Sequence, residues 1–437
     1  MALGGGPFLT QNKVLPGTYH NFISAARAFV NLSDRGYVGL PIPLDWGVDG
    51  EVFTVTTEDL QKDSRKIFGY DYTDVKLKGI RDVFKNAITV YFYKLAVNAV
   101  AAQNTFATAK YKGIRGNDIT ITIQPNVDEP TNFDVKTLLA GVVVDEQTVA
   151  TAADLVVNDF VSFKPVATLA VTAGTPLTGG SNGDAITGGA HQEALDELEA
   201  YGFNTLGCLS SDPAIKSLYV EYTKRIRDQV GGKFQLVGHK IGATDHEGVI
   251  DVQNDAIDDE VFGAVYWTAG AQAGVAVNQS NTNKKYDGEF ELSMVETKKQ
   301  SQLIALLKGG KYVFHRVGDE VRVLEDVNTF TSFTVDKKED FSMNQVIRVL
   351  DQIAIDTAHL FNTRYLGQVP NDTDGRISLW KDIGAHRLEM QRIRAVQNYN
   401  KDELYVGPGQ SKKAVLVTER VTPTVAMSQL YITTEVA

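Results

Sequence analysis

Residues Lys412–Ala437 read KKAVLVTERVTPTVAMSQLYITTEVA, and this stretch constrains the fold most strongly. Apolar side chains recur there at roughly every second position, between threonines and glutamine: Val415, Val417, Val421, Val425, Leu430 and Ile432. This alternation is typical of an extended strand, and Pro423 indicates an edge strand or a break between two short strands. Chain ends fray unless something holds them, so such a segment needs a sheet edge to complete. We predict a C-terminal strand arm over residues 412–437 that adds to its own sheet or to a neighbour's.

The N-terminal residues 1–24 have a matching character. Glycine and proline punctuate them, and short apolar fragments occur at Phe8-Leu9 and Phe22-Ile23. No helical period is present, and the apolar content is too small for an independent core. We predict a second extended arm, with Phe8, Leu9, Phe22 and Ile23 as candidate contacts to another molecule. A loose leader is the alternative.

Composition limits the classes of function. The chain has 437 residues and a formal net charge of −11, which argues against nucleic acid or an anionic membrane as a partner of the whole chain. A single cysteine, Cys208, excludes an internal disulfide framework and suits assembly in a reducing compartment. The sequence has no recognisable secretory leader and no run of about 18 apolar residues. We therefore expect a soluble cytosolic protein.

Changes in composition along the chain predict several domains. Residues 96–187 are rich in threonine, alanine and valine, alternate as ITITI at 119–123, and predict an inserted β-sandwich. Residues 188–330 alternate helix and strand patterns, which predicts an inserted, doubly wound α/β module. We predict that residues 25–95 and 331–411 pack together as one discontinuous α/β domain. The expected fold class is a multidomain α+β and α/β protein with an extended arm at each end.

No catalytic or cofactor-binding constellation emerges from the sequence. The Walker phosphate loop, GxGxxG, HExxH and CxxC are absent and the histidines are dispersed, so we expect no cofactor and no metal site. The nucleophile-elbow pattern fails at 207–211, and Asp245, His246 and Ser280 would make a triad only by chance. A hydrolase with an unrecognised site in residues 188–330 is the alternative function. A secreted adhesin is a third, disfavoured by the absence of a leader.

Two charged stretches are candidates for contacts with a partner. Residues 245–260 carry seven carboxylates and no lysine or arginine. A helix predicted near 377–398 is basic, through Arg376, Lys381, Arg387, Arg392 and Arg394. Solvation is the simpler interpretation of both stretches. The alternative is docking on an oppositely charged surface, which would mainly set register and orientation.

Several short motifs, in one order along nearly the whole chain, resemble one family. They are Pro16-Gly17-Thr18-Tyr19, Arg35-Gly36, Pro43-Leu44-Asp45-Trp46-Gly47, Tyr111–Asp118, Leu177–Gly183, the Val275–Asn283 region and the two C-terminal helices. Together they resemble the tail sheath proteins of contractile-tailed bacteriophages and phage-like bacteriocins. The likeness is greatest to the sheaths of PBSX-type defective prophages.

The resemblance implies a structural subunit, not an enzyme. Such subunits polymerise as hexameric rings, stacked helically around a tail tube, and contract to drive the tube through a target cell envelope. The resemblance also implies a subtilisin-like but non-catalytic module at 188–330 and a discontinuous domain that faces the tube. The terminal arms would add strands to adjacent subunits, and the basic helix would contact the tube. The implied partners are further copies, the tube, baseplate and tail terminator proteins, with no nucleic acid and no membrane insertion. Assembly in the host cytoplasm into a virion or phage-like tail is expected.

Overall fold

A computed structural model describes residues 32–242, 244–257 and 260–436. The predicted N-terminal arm, with Phe8, Leu9, Phe22 and Ile23, lies outside the described residues.

The described chain contains eight α-helices and nineteen short strands. The helices are α1 (Thr57–Phe68), α2 (Lys78–Phe84), α3 (Gly188–Leu198), α4 (Pro213–Lys224), α5 (Ala264–Gly274), α6 (Gln300–Lys308), α7 (Asn344–Arg364) and α8 (Thr373–Arg392). The strands are β1 (Tyr37–Pro43), β2 (Val52–Thr56), β3 (Thr89–Leu95), β4 (Ala107–Ala109), β5 (Ile119–Pro125), β6 (Phe133–Leu139), β7 (Val142–Val149), β8 (Val161–Phe163), β9 (Thr172–Pro176), β10 (Thr205–Cys208), β11 (Gln235–His239), β12 (Val249–Val252), β13 (Lys311–Tyr312), β14 (Phe314–Val317), β15 (Glu320–Val323), β16 (Val396–Gln397), β17 (Tyr405–Pro408), β18 (Val415–Thr418) and β19 (Thr422–Pro423).

A seven-stranded sheet forms the centre of the molecule, in the order β13-β12-β11-β10-β1-β3-β2. All neighbours are parallel except β2, which runs antiparallel to β3. Apolar side chains of α1, α2 and α5 cover one face of the sheet, and those of α3 and α4 cover the other. Helices on both faces of a mainly parallel sheet make this a doubly wound α/β domain.

The sequence-based grouping of residues 25–95 with 331–411 is wrong for the strands that it contains. Val38 of β1 pairs with Thr205 of β10 on one side and with Val90 of β3 on the other. Strand β1 is buried along most of its length, as a central parallel strand must be, so it needs a strand on each side. The α/β domain is therefore itself discontinuous, because β1–β3 and β10–β13 share one sheet.

The β-sandwich lies between β3 and α3 in the chain. Strands β7-β6-β5-β9 form an antiparallel sheet, and β4 pairs with β8. The alternation predicted for ITITI is confirmed, because Ile119, Ile121 and Ile123 are fully buried and the two threonines between them are half-buried.

The C-terminal part begins with α7, which packs against the α/β domain through a buried polar stripe. The stripe consists of Gln345, Arg348, Gln352 and Asp356, spaced three or four residues apart on one helix face. The Arg348 guanidinium donates to Asp326 at 3.2 Å, and Arg227 of the α/β domain binds Asp351 at 2.8 Å. Removing one partner of such a buried pair costs about 3–5 kcal/mol. Moving α7 off the α/β domain, which we call the body together with α7 and α8, would therefore leave buried charges without a partner.

Candidate assembly surfaces

The first half of the predicted C-terminal arm belongs to the chain's own fold. Strand β18 pairs antiparallel with β17, with Val415 opposite Pro408 and Val417 opposite Val406. Val421 packs partly buried against the cluster around Val396. The prediction of an arm that begins at residue 412 is therefore corrected, because an edge within the chain already takes this segment.

Beyond Thr424 the chain leaves the body, and we call residues 425–436 the free tail. No strand of the described chain pairs with the free tail. Val425, Leu430 and Ile432 are 50%, 82% and 74% exposed. The amide of Ala426 donates to Gln345 Oε1 at 2.9 Å, so the free tail departs past the N-terminal end of α7. An apolar segment this exposed is unusual on a monomer and indicates a missing partner.

The outer edge of β18 carries no strand among the described residues. Beside it lie two connected clefts of about 520 and 450 Å³, which together we call the β18 groove. Helix α7 forms one wall through Ile353, Thr357 and Phe361, and β18 forms the other. Leu379 of α8 lines both clefts. An unpaired strand edge beside an apolar floor is the geometry that accepts an added strand.

The free tail and the β18 groove lie at opposite ends of α7. The groove follows the C-terminal half of the helix from Ile353 and continues to Leu366, just beyond the helix end, whereas the tail passes Gln345. The chain runs from β18 towards the start of α7 and then leaves, so its own tail points away from its own groove. The two surfaces are suited to different copies of the chain.

A chain of hydrogen bonds, buried at its centre, connects Ser33, near the first described residue, with Glu419, which precedes the free tail. Ser33 N and Oγ donate to Asp356 Oδ1 at 3.0 and 2.5 Å, and His386 Nε2 lies 2.7 Å from Asp356 Oδ2. His386 Nδ1 lies 2.7 Å from an Arg387 nitrogen, and Arg387 donates to the Glu419 carboxylate at 2.7–3.1 Å. Burial alone would raise the pKa of Asp356, but the hydrogen bonds from His386 and Ser33 hold that pKa below its usual value.

The basic helix does not present one charged face. Arg387 is buried and binds Glu419, so its prediction as an exposed contact residue is wrong. Arg376 is half-buried and donates to the Asn371 carbonyl. Lys381 and Arg392 are exposed and share a helix face with Ile377 and Leu388. Arg394 is exposed just beyond the end of α8.

The acidic stretch at 245–260 is mostly occupied within the chain. Asp245 accepts the amides of Thr331 and Ser332, and Asp251 binds Lys311 at 2.5 Å. Two further carboxylates of this stretch form ion pairs, Glu247 with Lys337 and Asp255 with Lys240. Asp258 and Asp259 lie outside the described residues. The described carboxylates that these contacts engage therefore offer little free negative charge to a partner.

The residues considered for catalysis are engaged elsewhere. His246 faces Asp228 through Nε2 and accepts the Gly248 amide through Nδ1, while Ser280 donates towards Asp326 and Thr282. Burial raises the pKa of the Cys208 thiol to about 12, which leaves it unreactive. The described residues contain no group of three or more His, Cys, Asp or Glu side chains able to hold a metal ion. None of their helices is long and apolar enough to cross a membrane.

Asp356, His386 and Glu419 carry the connection between the chain ends, and the sequence-based search missed them. Asp356 could have been noticed, because Gln345, Gln352 and Asp356 fall on the same face of a helix that is otherwise apolar there. Nothing in the sequence links that face to Glu419, since the link is made by a contact 32 residues apart between Arg387 and Glu419.

Four family models match the chain, and together they cover most of it. They are the phage tail sheath protein central domain at 184–329, the phage tail sheath C-terminal domain at 336–437, the phage tail sheath protein beta-sandwich domain at 86–182 and the domain III N-terminal region of the tail sheath protein Gp18 at 35–95. The last of these ranges contains β1–β3.

Individual proteins agree with the family models. The phage-like element PBSX protein XkdK of Bacillus subtilis is 29% identical over 99% of this chain and 100% of its own length. The crystal structure of a sheath tail protein from Desulfitobacterium hafniense is 36% identical, with a TM-score of 0.81 over 93% of this chain and 96% of that one. A sheath tail protein from Listeria innocua is 30% identical, with a TM-score of 0.78 over 90% and 93%. The chain belongs to the phage tail sheath protein family.

Proposed function

We propose that this chain is the structural subunit of a contractile tail sheath, and that copies polymerise by placing the free tail of one in the β18 groove of the next. In the assembled sheath, the subunits form hexameric rings stacked helically around a tail tube. Contraction of this lattice drives the tube through the envelope of the target cell. The chain does this without catalysis and without a cofactor.

The observation that carries this proposal is the placement of donor and acceptor at opposite ends of α7. A surface that binds a different surface of an identical partner makes a head-to-tail contact, which generates closed rings or open helical filaments. The free tail has exposed apolar side chains, and the groove has an unpaired edge and an apolar floor. Residues 1–24, with Phe8, Leu9, Phe22 and Ile23, would supply a second arm of the same kind.

Simple energetics make such a junction strong enough to persist while other contacts change. A strand of about five residues adds backbone hydrogen bonds worth roughly 1 kcal/mol each. Burying Leu430 and Ile432 adds about 2 kcal/mol each. The arms can then tether neighbouring copies while weaker polar contacts between subunit bodies break and re-form.

The body is built to move as one unit during contraction. The buried pairs Arg348–Asp326 and Arg227–Asp351 join α7 to the α/β domain, and such buried pairs do not exchange partners readily. Rearrangement is therefore expected between subunits and not within them. The fold is also that of the anti-feeding prophage sheath in its contracted state, at a TM-score of 0.58 and 11% identity, which supports the architecture.

The tail tube would contact the exposed face of α8. This face combines the cations Lys381 and Arg392 with the apolar side chains Ile377 and Leu388. A mixed face of this kind fits an acidic surface with apolar patches. The baseplate and tail terminator proteins would contact the first and last rings, and assembly would take place in the host cytoplasm.

Deletion of residues 425–437 tests the proposal. The cut leaves the hairpin of β17 and β18 and the pairing of β19 intact, so we expect a folded, monomeric chain. Negative-stain microscopy of concentrated protein should show helical tubes for the full chain and none for the deletion. Ordered tubes from the deleted chain would contradict the proposal.

A substitution series separates the apolar side chains from the tail backbone. Leu430→Ser with Ile432→Ser should weaken each junction by about 4 kcal/mol, or roughly a thousandfold. Val127→Ser with Val166→Ser is the matched control, because these two valines of the β-sandwich are 91% and 93% exposed. The control pair should assemble like the unmodified chain.

A further inference from the structure

One buried cluster connects the first described residues of the chain with the segment that precedes the free tail. We define the N-terminal root as residues 32–34 and the C-terminal root as residues 419–424. Between them lie Asp356 on α7 and the adjacent residues His386 and Arg387 on α8.

The direction of each hydrogen bond in the cluster follows from elementary chemistry. A guanidinium can only donate, so the His386 Nδ1 facing Arg387 must accept. The imidazole proton therefore sits on Nε2 and points to Asp356 Oδ2. Ser33 donates to the other oxygen of Asp356, and Arg387 also donates to Glu419. Hydrogen bonds therefore run without a break from Ser33 through Asp356, His386 and Arg387 to Glu419, and Arg387 also donates to Thr357 Oγ1.

The cluster is sealed from water. The side chains of Asp356, His386 and Arg387 are 1%, 2% and 3% exposed. Asp356 Oδ1 also accepts from Gln352 Nε2 at 3.0 Å, so losing the Ser33 hydroxyl weakens one link but leaves this oxygen partnered. Losing His386 removes the bond to Asp356 Oδ2 and one acceptor of Arg387, both of them buried. Links in such a network strengthen one another, so they form and break together more readily than singly.

We propose that Asp356, His386 and Arg387 are positioning residues that couple the two chain ends, so that an arm seated in one neighbour holds the root of the other arm in place. Growth of the polymer then becomes cooperative within each subunit. The role of the arms rests on the proposed function, but the coupling is a property of the single chain and can be measured without assembly.

Hydrogen exchange of the dilute, monomeric full-length chain measures the coupling. The amide of Thr424, which donates to the Ala395 carbonyl, reports opening of the C-terminal root. Ser33→Ala removes one donor at the N-terminal root, and we expect it to raise opening at Thr424 by about fivefold, the lower end of typical coupling between sites. Asn371→Ala is the control: Asn371 donates to the Ala414 carbonyl at the far end of β18, so its loss should leave exchange at the N-terminal root unchanged.

Substitutions at His386 distinguish coupling from a merely structural role. His386→Gln supplies one donor and one acceptor and should preserve the effect of Ser33→Ala at Thr424. His386→Phe removes both the donor and the acceptor. It should abolish the effect of Ser33→Ala at Thr424 and should raise hydrogen exchange at both roots. If His386→Phe does not fold, Arg387→Lys serves instead, because a single ammonium cannot hold His386 and Glu419 together as the guanidinium fork does.

A double-substitution cycle of Ser33→Ala and Glu419→Gln gives the decisive reading. Coupling predicts that opening in the double variant differs about fivefold from the product of the two single effects. In a His386→Phe background, this difference should disappear. Independent effects in the unmodified chain would overturn the proposal. Coupling without tube formation would overturn the assembly function alone, and tubes without coupling would overturn only this inference.

Discussion

At the scale of single residues, Ala140 shows where the chain accepts strain. It lies in the two-residue turn between β6 and β7 with φ of +50°, followed by Gly141 at +80°. A left-handed alanine costs about 1 kcal/mol, whereas asparagine tolerates this conformation and Asn-Gly is the preferred pair for such a turn. We expect Ala140→Asn to raise the free energy of unfolding of the β-sandwich by about 1 kcal/mol.

Urea unfolding followed in the β-sandwich measures this gain. Ala173→Asn is the matched control, since Ala173 is equally an exposed alanine of the same domain but has an ordinary negative φ. The control should show no gain. An unchanged midpoint for Ala140→Asn would mean that the turn carries no strain.

Also at this scale, burial explains why one charged residue was misassigned from the sequence. The prediction of a basic helix near 377–398 treats Arg387 as exposed, like the other cations of that helix. Its spacing from Ile383 and Met390, four residues after one and three before the other, places it in the apolar stripe of α8. A periodicity check would have predicted its burial, but only the fold reveals Glu419 as its partner.

At the scale of elements, the sequence pattern predicts single strands and helices but not which distant strands pair. The ITITI strand follows from the period of apolar residues alone. The pairing of β1 with β10 does not, because it joins segments separated by the whole β-sandwich, and nothing local specifies it. The free tail is the opposite case: its residues favour a strand, but no strand of the described chain pairs with them.

The exposed face of α8 gives a prediction about the tube. Reversing both cations, Lys381→Glu with Arg392→Glu, should weaken binding of the sheath to tail tubes by about tenfold, since each exposed contact contributes about 0.5–1 kcal/mol. Tube-free assembly should be unaffected, because neither Lys381 nor Arg392 lines the β18 groove.

Co-sedimentation with purified tubes measures the loss, and its size should shrink as salt rises. Lys298→Glu with Lys308→Glu is the matched control, because both lysines are exposed near α6 and carry the same change of charge. Equal losses from both pairs would show a general effect of net charge and would remove α8 from the tube contact.

At the scale of the whole molecule, we propose a donor, the free tail, past one end of α7 and an acceptor, the β18 groove, towards the other. The sequence predicted terminal arms and the family, because strand-forming ends and ordered motifs are visible in it. It did not place the acceptor, which α7, α8 and β18 form together only after folding. The unit of function that we propose is a lattice of copies and not a pocket in one copy.

The most direct test of this account mixes two damaged chains. One lacks residues 425–437 and keeps its β18 groove; the other keeps its tail but carries Ala358→Arg and Val417→Asp, two changes in the groove lining. Analytical ultracentrifugation measures the size of each alone and of the equimolar mixture. The account predicts that each is monomeric alone and that the mixture forms a one-to-one complex that grows no further. Tubes from either chain alone, or a mixture that stays monomeric, would contradict it.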